Sequence, residues 1–408
     1  MSIVLVTRMA EPSPHGRILL FVNMAHAFDH FVLLIYPTAV IAIAAASGAS
    51  YASMIGLSTG CFLAFGLVSL PVGWMADRIG RGALMAAFFL GCGAACLGLA
   101  TADGPVAFAI WLTILGIFGA IYHPVGSALL VSHAERLGRS LGRNGVWGNL
   151  GAASAAGVTA FLAASFGWRA AFIVPGAVGL VLGVAFLLAV PRETPGAVRP
   201  EQSRPTAARP NNVILLGLVF LVALAAGGMT FNIVTIALPK VIDERLGLPL
   251  PLTLVGSLTT GIFILGALTQ LAIGRLVDRV DLPRLFACLS VVQPLGLALA
   301  ALTEGVPMLL GLTFTLAAIY GQVVVNDAII AHYVPAELRA RAFGIRYFIG
   351  FSVSGLAVPL IALLHSHGGF AIVLGGTALV AAAIFLSAVT FYILIRTGKP
   401  LRSPVAVP

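Results

Sequence analysis

Apolar residues in this chain come in blocks of about twenty or more, the length at which an α-helix crosses the roughly 30 Å hydrocarbon core of a bilayer. Twelve such blocks fall at roughly 18–46, 52–75, 83–101, 104–131, 142–165, 168–190, 213–239, 252–275, 284–302, 306–332, 342–364 and 370–395. Hydrocarbon offers a backbone N–H or C=O no partner, so each crossing segment must satisfy its own backbone, which a helix does. Strands of a membrane barrel are about half as long and alternate in polarity, so a barrel is excluded. The expected fold class is an all-α membrane protein with twelve transmembrane helices. Composition fits: of 408 residues 60% are hydrophobic and 9% charged, against about 25% charged in soluble domains. The 46 Gly and 23 Pro suit a membrane bundle, where small residues allow close helix contact and neighbours re-satisfy freed backbone groups.

The net charge of +9 does not point to nucleic acid. Of the 23 Lys and Arg, all but Arg169, Lys240 and Arg245 fall on one side of the twelve-span topology. Basic loops stay in the cytoplasm, so both termini are expected there, with the chain multi-pass in a bacterial inner membrane. Cys61, Cys92, Cys96 and Cys288 lie inside spans and are expected to pack rather than to form disulfides. No phosphate-binding loop of the P-loop type occurs, so ATP is not the direct energy source. No cofactor is expected.

The segment "PRETPGAVRPEQSRPTAARPNN" is polar, rich in Pro and Arg, and without periodicity, so it reads as a linker. It divides the chain into an N-terminal bundle (1–190), a cytoplasmic linker (191–212) and a C-terminal bundle (213–408). The halves echo each other at a shift of about 200 positions. Gly73, Asp77 and Arg78 match Gly274, Asp278 and Arg279, Arg139 and Gly142 match Arg341 and Gly344, and Pro37 matches Pro239. Six helices per repeat preserve orientation, so two six-helix bundles related by a parallel pseudo-two-fold axis are expected. Asp77 and Asp278 meet the cytoplasm at span ends, where a carboxylate can accept from helix N-terminal amides and from Arg side chains, latching helices together. The glycine before each is expected to allow close helix approach. Gly73, Asp77, Arg78, Arg81, Gly274, Asp278 and Arg279 are the candidate gating residues, the alternative being an ordinary charged loop.

Twelve spans, a central linker and G73-W-M-A-D77-R78-I-G-R81 resemble the major facilitator superfamily of secondary transporters. That resemblance implies two bundles rocking about a central cavity. "YHPVGS" at 122–127 and "WGNLG" at 147–151 are similar to segments of bacterial fosmidomycin-resistance-type exporters. Val125 and the order Asp29-His30 depart from that subfamily, so the transporter class is carried over and the drug is not.

Of the 14 acidic residues, only Asp29 and Asp327 fall well inside spans. A charge at the bilayer centre costs roughly 2.5–3.5 kcal/mol on insertion scales unless it has a cavity or a partner. Asp29 lies about 16 Å deep at 1.5 Å per residue. His26, Asp29 and His30 share one helix face by their i, i+3, i+4 spacing. Asp29 and His30 are the candidate proton-coupling residues, and the alternative is a polar cluster that pins the first span to its neighbours. His26, Tyr36, His123, Asn149, Asn232 and Gln270 are the candidate substrate-binding residues. Asn232 lies within two residues of the repeat-related position of His30. Asp327 and Arg346 are expected to act as a structural or gating pair.

The function expected is alternating-access transport of a small organic solute, exchanged or exported against protons, by a monomer in the lipid bilayer. Uptake of a metabolite or of a transition metal is the rival reading, since His26 and His30 sit one turn apart with Asp29 beside them. No Met or Cys pair in another span completes a soft-metal path, so no metal site is assigned. An intramembrane enzyme lacks a visible nucleophile–base pair, and a non-transporting scaffold leaves the duplicated latch motif unexplained.

Overall fold

The computed structural model describes residues 14–134, 137–190, 213–247, 249–277, 279–334 and 336–397. The described residues form thirteen helices and no strand. The first half holds α1 (Pro14–Ser47), α2 (Tyr51–Gly56), α3 (Thr59–Ile79), α4 (Arg81–Ala100), α5 (Pro105–Gly119), α6 (Tyr122–His133), α7 (Leu137–Phe166) and α8 (Ala170–Ala189). The second holds α9 (Val213–Arg245), α10 (Leu252–Leu276), α11 (Leu282–Leu302), α12 (Gly305–Tyr333) and α13 (Ala336–Thr397). The expected linker and Asp278 lie outside the described residues.

Helix number and span number differ for local reasons. Short breaks divide the second span into α2 and α3, and the fourth into α5 and α6, so each pair still crosses once. At 62 residues, α13 would run roughly 90 Å if straight, about three bilayer cores. It turns at Gly368 and Gly369, where the backbone leaves helical geometry and Gly369 adopts φ 63°, a conformation open to glycine at little cost. Eleven described stretches are long and apolar enough to cross a membrane. The α13 turn splits the longest of them, restoring the twelve crossings expected. Leu188, Leu302 and Leu379 expose 83%, 85% and 76% of their surface, an arrangement that lipid, not water, stabilises.

Within the first half α1 packs on α7 and α6, and α4 on α8 and α5. Within the second, α13 packs on α9 and α11, and α12 on α11 and α10. The halves meet where α7 packs on α10 and α3 on α13. The repeat seen in the sequence has a direct structural counterpart. Pro37 and Pro239 both line one small cavity between α1, α7, α9 and α10, of about 10 Å³, room for about one water. Two kink-prone positions thus face each other across the seam.

The three bases expected on the sparsely charged side all hold structural posts. Arg169 donates to the Ala100 carbonyl at 3.1 Å and to Asp103 at 3.0 Å, at the end of α4. Lys240 pairs with Asp243 at 2.6 Å and Glu244 at 3.4 Å. Arg245 donates to the carbonyls of Ala300, Ala301 and Thr303 at 2.9, 3.1 and 2.9 Å. A cation at a helix C-terminus satisfies orphan carbonyls and opposes the helix dipole. At the same end Tyr51 of the first half is buried against the second, its ring 5.1 Å from His365 and 5.8 Å from Phe370. His365 in turn lies 3.1 Å from Glu244.

Arg245→Ala removes three charge-assisted bonds at the end of α11. It is expected to lower stability by about 2 kcal/mol, read as a fall in the thermal midpoint of the detergent-solubilised protein.

Candidate functional site

The face of α1 that carries His26, Asp29 and His30 meets His123 of α6. The His26 and His30 rings are 4.8 Å apart, His26 and His123 5.5 Å, and His30 and His123 5.7 Å. One ring nitrogen from each histidine lies within 4.8 Å of the others. His123 Nε2 is 3.5 Å from Asp29 Oδ2. Asp29 is fully buried, and among the described residues neither of its oxygens accepts a hydrogen bond. The expected polar face of α1 is therefore a four-residue cluster, completed by the histidine of the His-Pro pair.

Asn144 of α7, not assigned a role from the sequence, anchors this cluster. Its carbonyl accepts from His26 Nδ1 at 2.7 Å. Its side chain accepts from the Tyr122 hydroxyl at 3.1 Å and donates to Asn23 Oδ1 at 3.1 Å. Tyr122 also stacks on His26, with ring centroids 4.9 Å apart. The only sequence signal was a polar Arg143-Asn144 step at the head of an apolar span.

The glycines of "WGNLG" explain how α7 comes close enough to do this. A methyl group at Gly151 would sit 2.0 Å from the Ala27 carbonyl oxygen, and one at Gly148 would sit 2.6 Å from His26 Nε2. Two missing side chains seat α7 directly on the part of α1 that bears the cluster.

Other expected binding residues fall elsewhere. Asn149 Nδ2 donates to Gln270 Oε1 at 2.8 Å, so this pair ties α7 to α10 across the two halves. Tyr36 is buried away from the cluster, its hydroxyl donating to the Met54 carbonyl at 2.7 Å and its ring against Phe108. Asn232 donates to the Gly228 carbonyl of its own helix at 2.8 Å. In each case a local or inter-helix hydrogen bond has taken up the polar group that made the residue a candidate. Among the buried polar residues not assigned from the sequence, Gln293 donates to Gln322 between α11 and α12.

The gating candidates divide. Asp327 and Arg346 form an ion pair between α12 and α13, and Arg346 also donates to the Val323 carbonyl at 3.3 Å. Asp77 is exposed and has no ion pair among the described residues. Arg78 stacks on Trp74 at 3.7 Å, Arg81 reaches Ser132 at 3.5 Å, and Arg279 is exposed. The close approach expected at Gly73 and Gly274 is not made: a side chain at either would meet nothing within 4 Å, because both sit on exposed helix faces. Of the cysteines expected to pack inside, Cys61, Cys92 and Cys96 are buried, whereas Cys288 is exposed.

The sequence profile of the Major Facilitator Superfamily matches residues 19–254 and again 250–407, nearly the whole chain in two repeats. The chain belongs to that superfamily and is a membrane transporter. Among solved structures it is similar to a bacterial homologue of the human lysosomal transporter Spinster, captured inward-facing and unoccupied. That likeness has a TM-score of 0.77 at 14% identity, covering 97% of this chain and 100% of the other. A D-xylose–proton symporter is similar with a TM-score of 0.70 at 16% identity, covering 94% and 99%. No curated protein matches the chain. At these identities the solved structures share the fold.

Gly151→Ala forces a methyl group onto backbone that cannot yield, and is expected to destabilise by about 1–3 kcal/mol. Gly73→Ala and Gly274→Ala, in open space, are expected to be neutral or to stabilise by up to about 1 kcal/mol through helix propensity. Thermal midpoints of the three purified variants decide between these outcomes.

Proposed function

We propose that this transporter exchanges a small solute for protons by alternating access, with His26, Asp29, His30 and His123 as the solute site. The observation that carries this reading is the buried Asp29 carboxylate, which has no hydrogen-bond donor among the described residues and lies 3.5 Å from His123, itself grouped with His26 and His30. A purely structural polar cluster is expected to be fully satisfied. This one leaves its most demanding member open, and an unmet ionisable group inside a membrane bundle marks a transport path or proton relay. In the proposed cycle Asp29 carries the coupling proton when the solute is absent and gives it up when the solute binds.

The rest of the cycle follows from the two-bundle architecture. The basic face is proposed to be cytoplasmic, in a bacterial inner membrane, with the 191–212 segment joining the two bundles there. Tyr51, His365, Glu244 and Lys240 close the opposite end across the two halves. The Asn149–Gln270 bond and the Asp327–Arg346 pair are the proposed polar fastenings that rearrange as the bundles rock, together with the Asp77 and Asp278 loops. Export, as in the resembling exporters, and uptake are proposed to use the same site, and the gradients set the direction.

The test is proton release from the purified protein in weak buffer as a panel of organic solutes and divalent metals is added. Wild type is expected to release protons with one solute class, and Asp29→Asn is expected to bind that class with release reduced at least tenfold. Undiminished release from a folded Asp29→Asn variant removes Asp29 from the coupling step.

A further inference from the structure

The shape of the histidine cluster says more about its solute than the presence of ionisable groups does. We infer, resting on the reading that this cluster is the solute site, that the transported solute is a first-row divalent transition-metal ion, bound by His26, His30 and His123.

Three imidazoles converging on one point are ligands for zinc, nickel, cobalt or copper, while magnesium and calcium require oxygen donors. A tetrahedral ion with bonds of about 2.0–2.1 Å needs its nitrogens about 3.4 Å apart. The nitrogens here lie within 4.8 Å of one another, so small rotations of the rings close the site on an ion. Three protein ligands leave a fourth position open to water. An open position suits an ion that must leave again.

The surroundings of the rings supply an independent observation. Metal-binding histidines hand their second nitrogen to a carbonyl or carboxylate, which fixes the ring and the tautomer. His26 does this. A carbonyl only accepts, so the 2.7 Å contact from His26 Nδ1 to Asn144 places the hydrogen on Nδ1. The lone pair is then on Nε2, and Gly148 leaves room over that face of the ring. His123 Nε2 lies 3.5 Å from the Asp29 carboxylate. Asp29, buried and without a hydrogen bond among the described residues, sets a carboxylate behind His123, and a divalent cation in hydrocarbon requires such compensating charge nearby. A polar organic solute would instead need donors and acceptors spread over its length. The candidates for that role, Asn149, Gln270 and Asn232, are bonded to each other or to their own helix.

The test uses the full-length purified protein, first stripped of metal by dialysis against a chelator. Binding of Co²⁺, Ni²⁺ and Zn²⁺ is measured by equilibrium dialysis, and the Co²⁺ absorption spectrum reports the ligand set. The expected result is one ion per chain with nitrogen-rich tetrahedral or five-coordinate cobalt bands. His26→Gln, His30→Gln and His123→Gln each weaken binding at least tenfold, and Asp29→Asn weakens it about 10–100-fold as an outer partner. Proteoliposomes are expected to accumulate the bound metal under a proton gradient, and each histidine variant to lose that flux. Folding of every variant is checked by its thermal midpoint, and the wild-type cobalt spectrum stands without any variant. Absence of stoichiometric binding to folded wild type overturns the inference, as does binding indifferent to all three histidines. Histidine-dependent binding with no metal flux overturns the assignment of the ion as cargo. Asp29-dependent proton release by an organic solute, with no metal bound, overturns the metal and leaves the proton-exchange reading standing.

Discussion

A carboxylate deep in a hydrocarbon-embedded bundle must be compensated by something, and among the described residues no hydrogen-bond donor does it for Asp29. The organisation of the N-terminal half follows from that constraint. Asp29 sits on α1 one turn from His26 and next to His30, His123 is brought to it by α6, and Asn144 on α7 fixes the His26 ring. To place Asn144 there, α7 must lie directly on α1, and Gly148 and Gly151 make that approach possible. A sequence feature that looks like generic small-residue packing is thus part of the construction of the polar site.

The two halves divide the work unequally. Ionisable groups that no fixed partner satisfies gather in the first half. The second half offers the Gln293–Gln322 bond and the Asp327–Arg346 pair, which brace α11, α12 and α13. The seam between halves is nearly filled around Pro37 and Pro239, and the end with few bases is fastened by Tyr51 against His365. One bundle that holds the solute and another that closes over it is a workable division for a rocking cycle, because the site need not be split when the halves separate.

Much of this was legible from residue order alone, for physical reasons. Twelve crossings are written in block length, and the internal duplication in matched positions such as Pro37 and Pro239. The His26–Asp29–His30 face stands out because nothing polar belongs in an apolar run without cause. What escaped was whatever depends on which neighbour a side chain finds. Asn149, Gln270, Asn232 and Tyr36 have the right chemistry for a cavity, but hydrogen bonds claimed them for packing. Asn144 looked like one polar residue among several at a span end, and became the anchor only when α7 was seen against α1. Gly73 and Gly274 mark a motif without making the close contact that glycine usually signals in membranes. The α13 turn was visible as a boundary between two apolar blocks, and the backbone leaves helical geometry there at Gly368 and Gly369.

The central claim is that the buried histidine–aspartate cluster is reached from both sides of the membrane in turn. Phe65 borders it, with its ring 6.0 Å from His123, and can be replaced without touching any of the four ionisable groups. The direct measurement is alkylation of Phe65→Cys, in a chain with its four native cysteines replaced, by a membrane-impermeant reagent applied to each face of oriented vesicles. The account predicts reaction from either face, slowed from both when solute occupies the site. Reaction from one face alone, or rates that no solute alters, would contradict it.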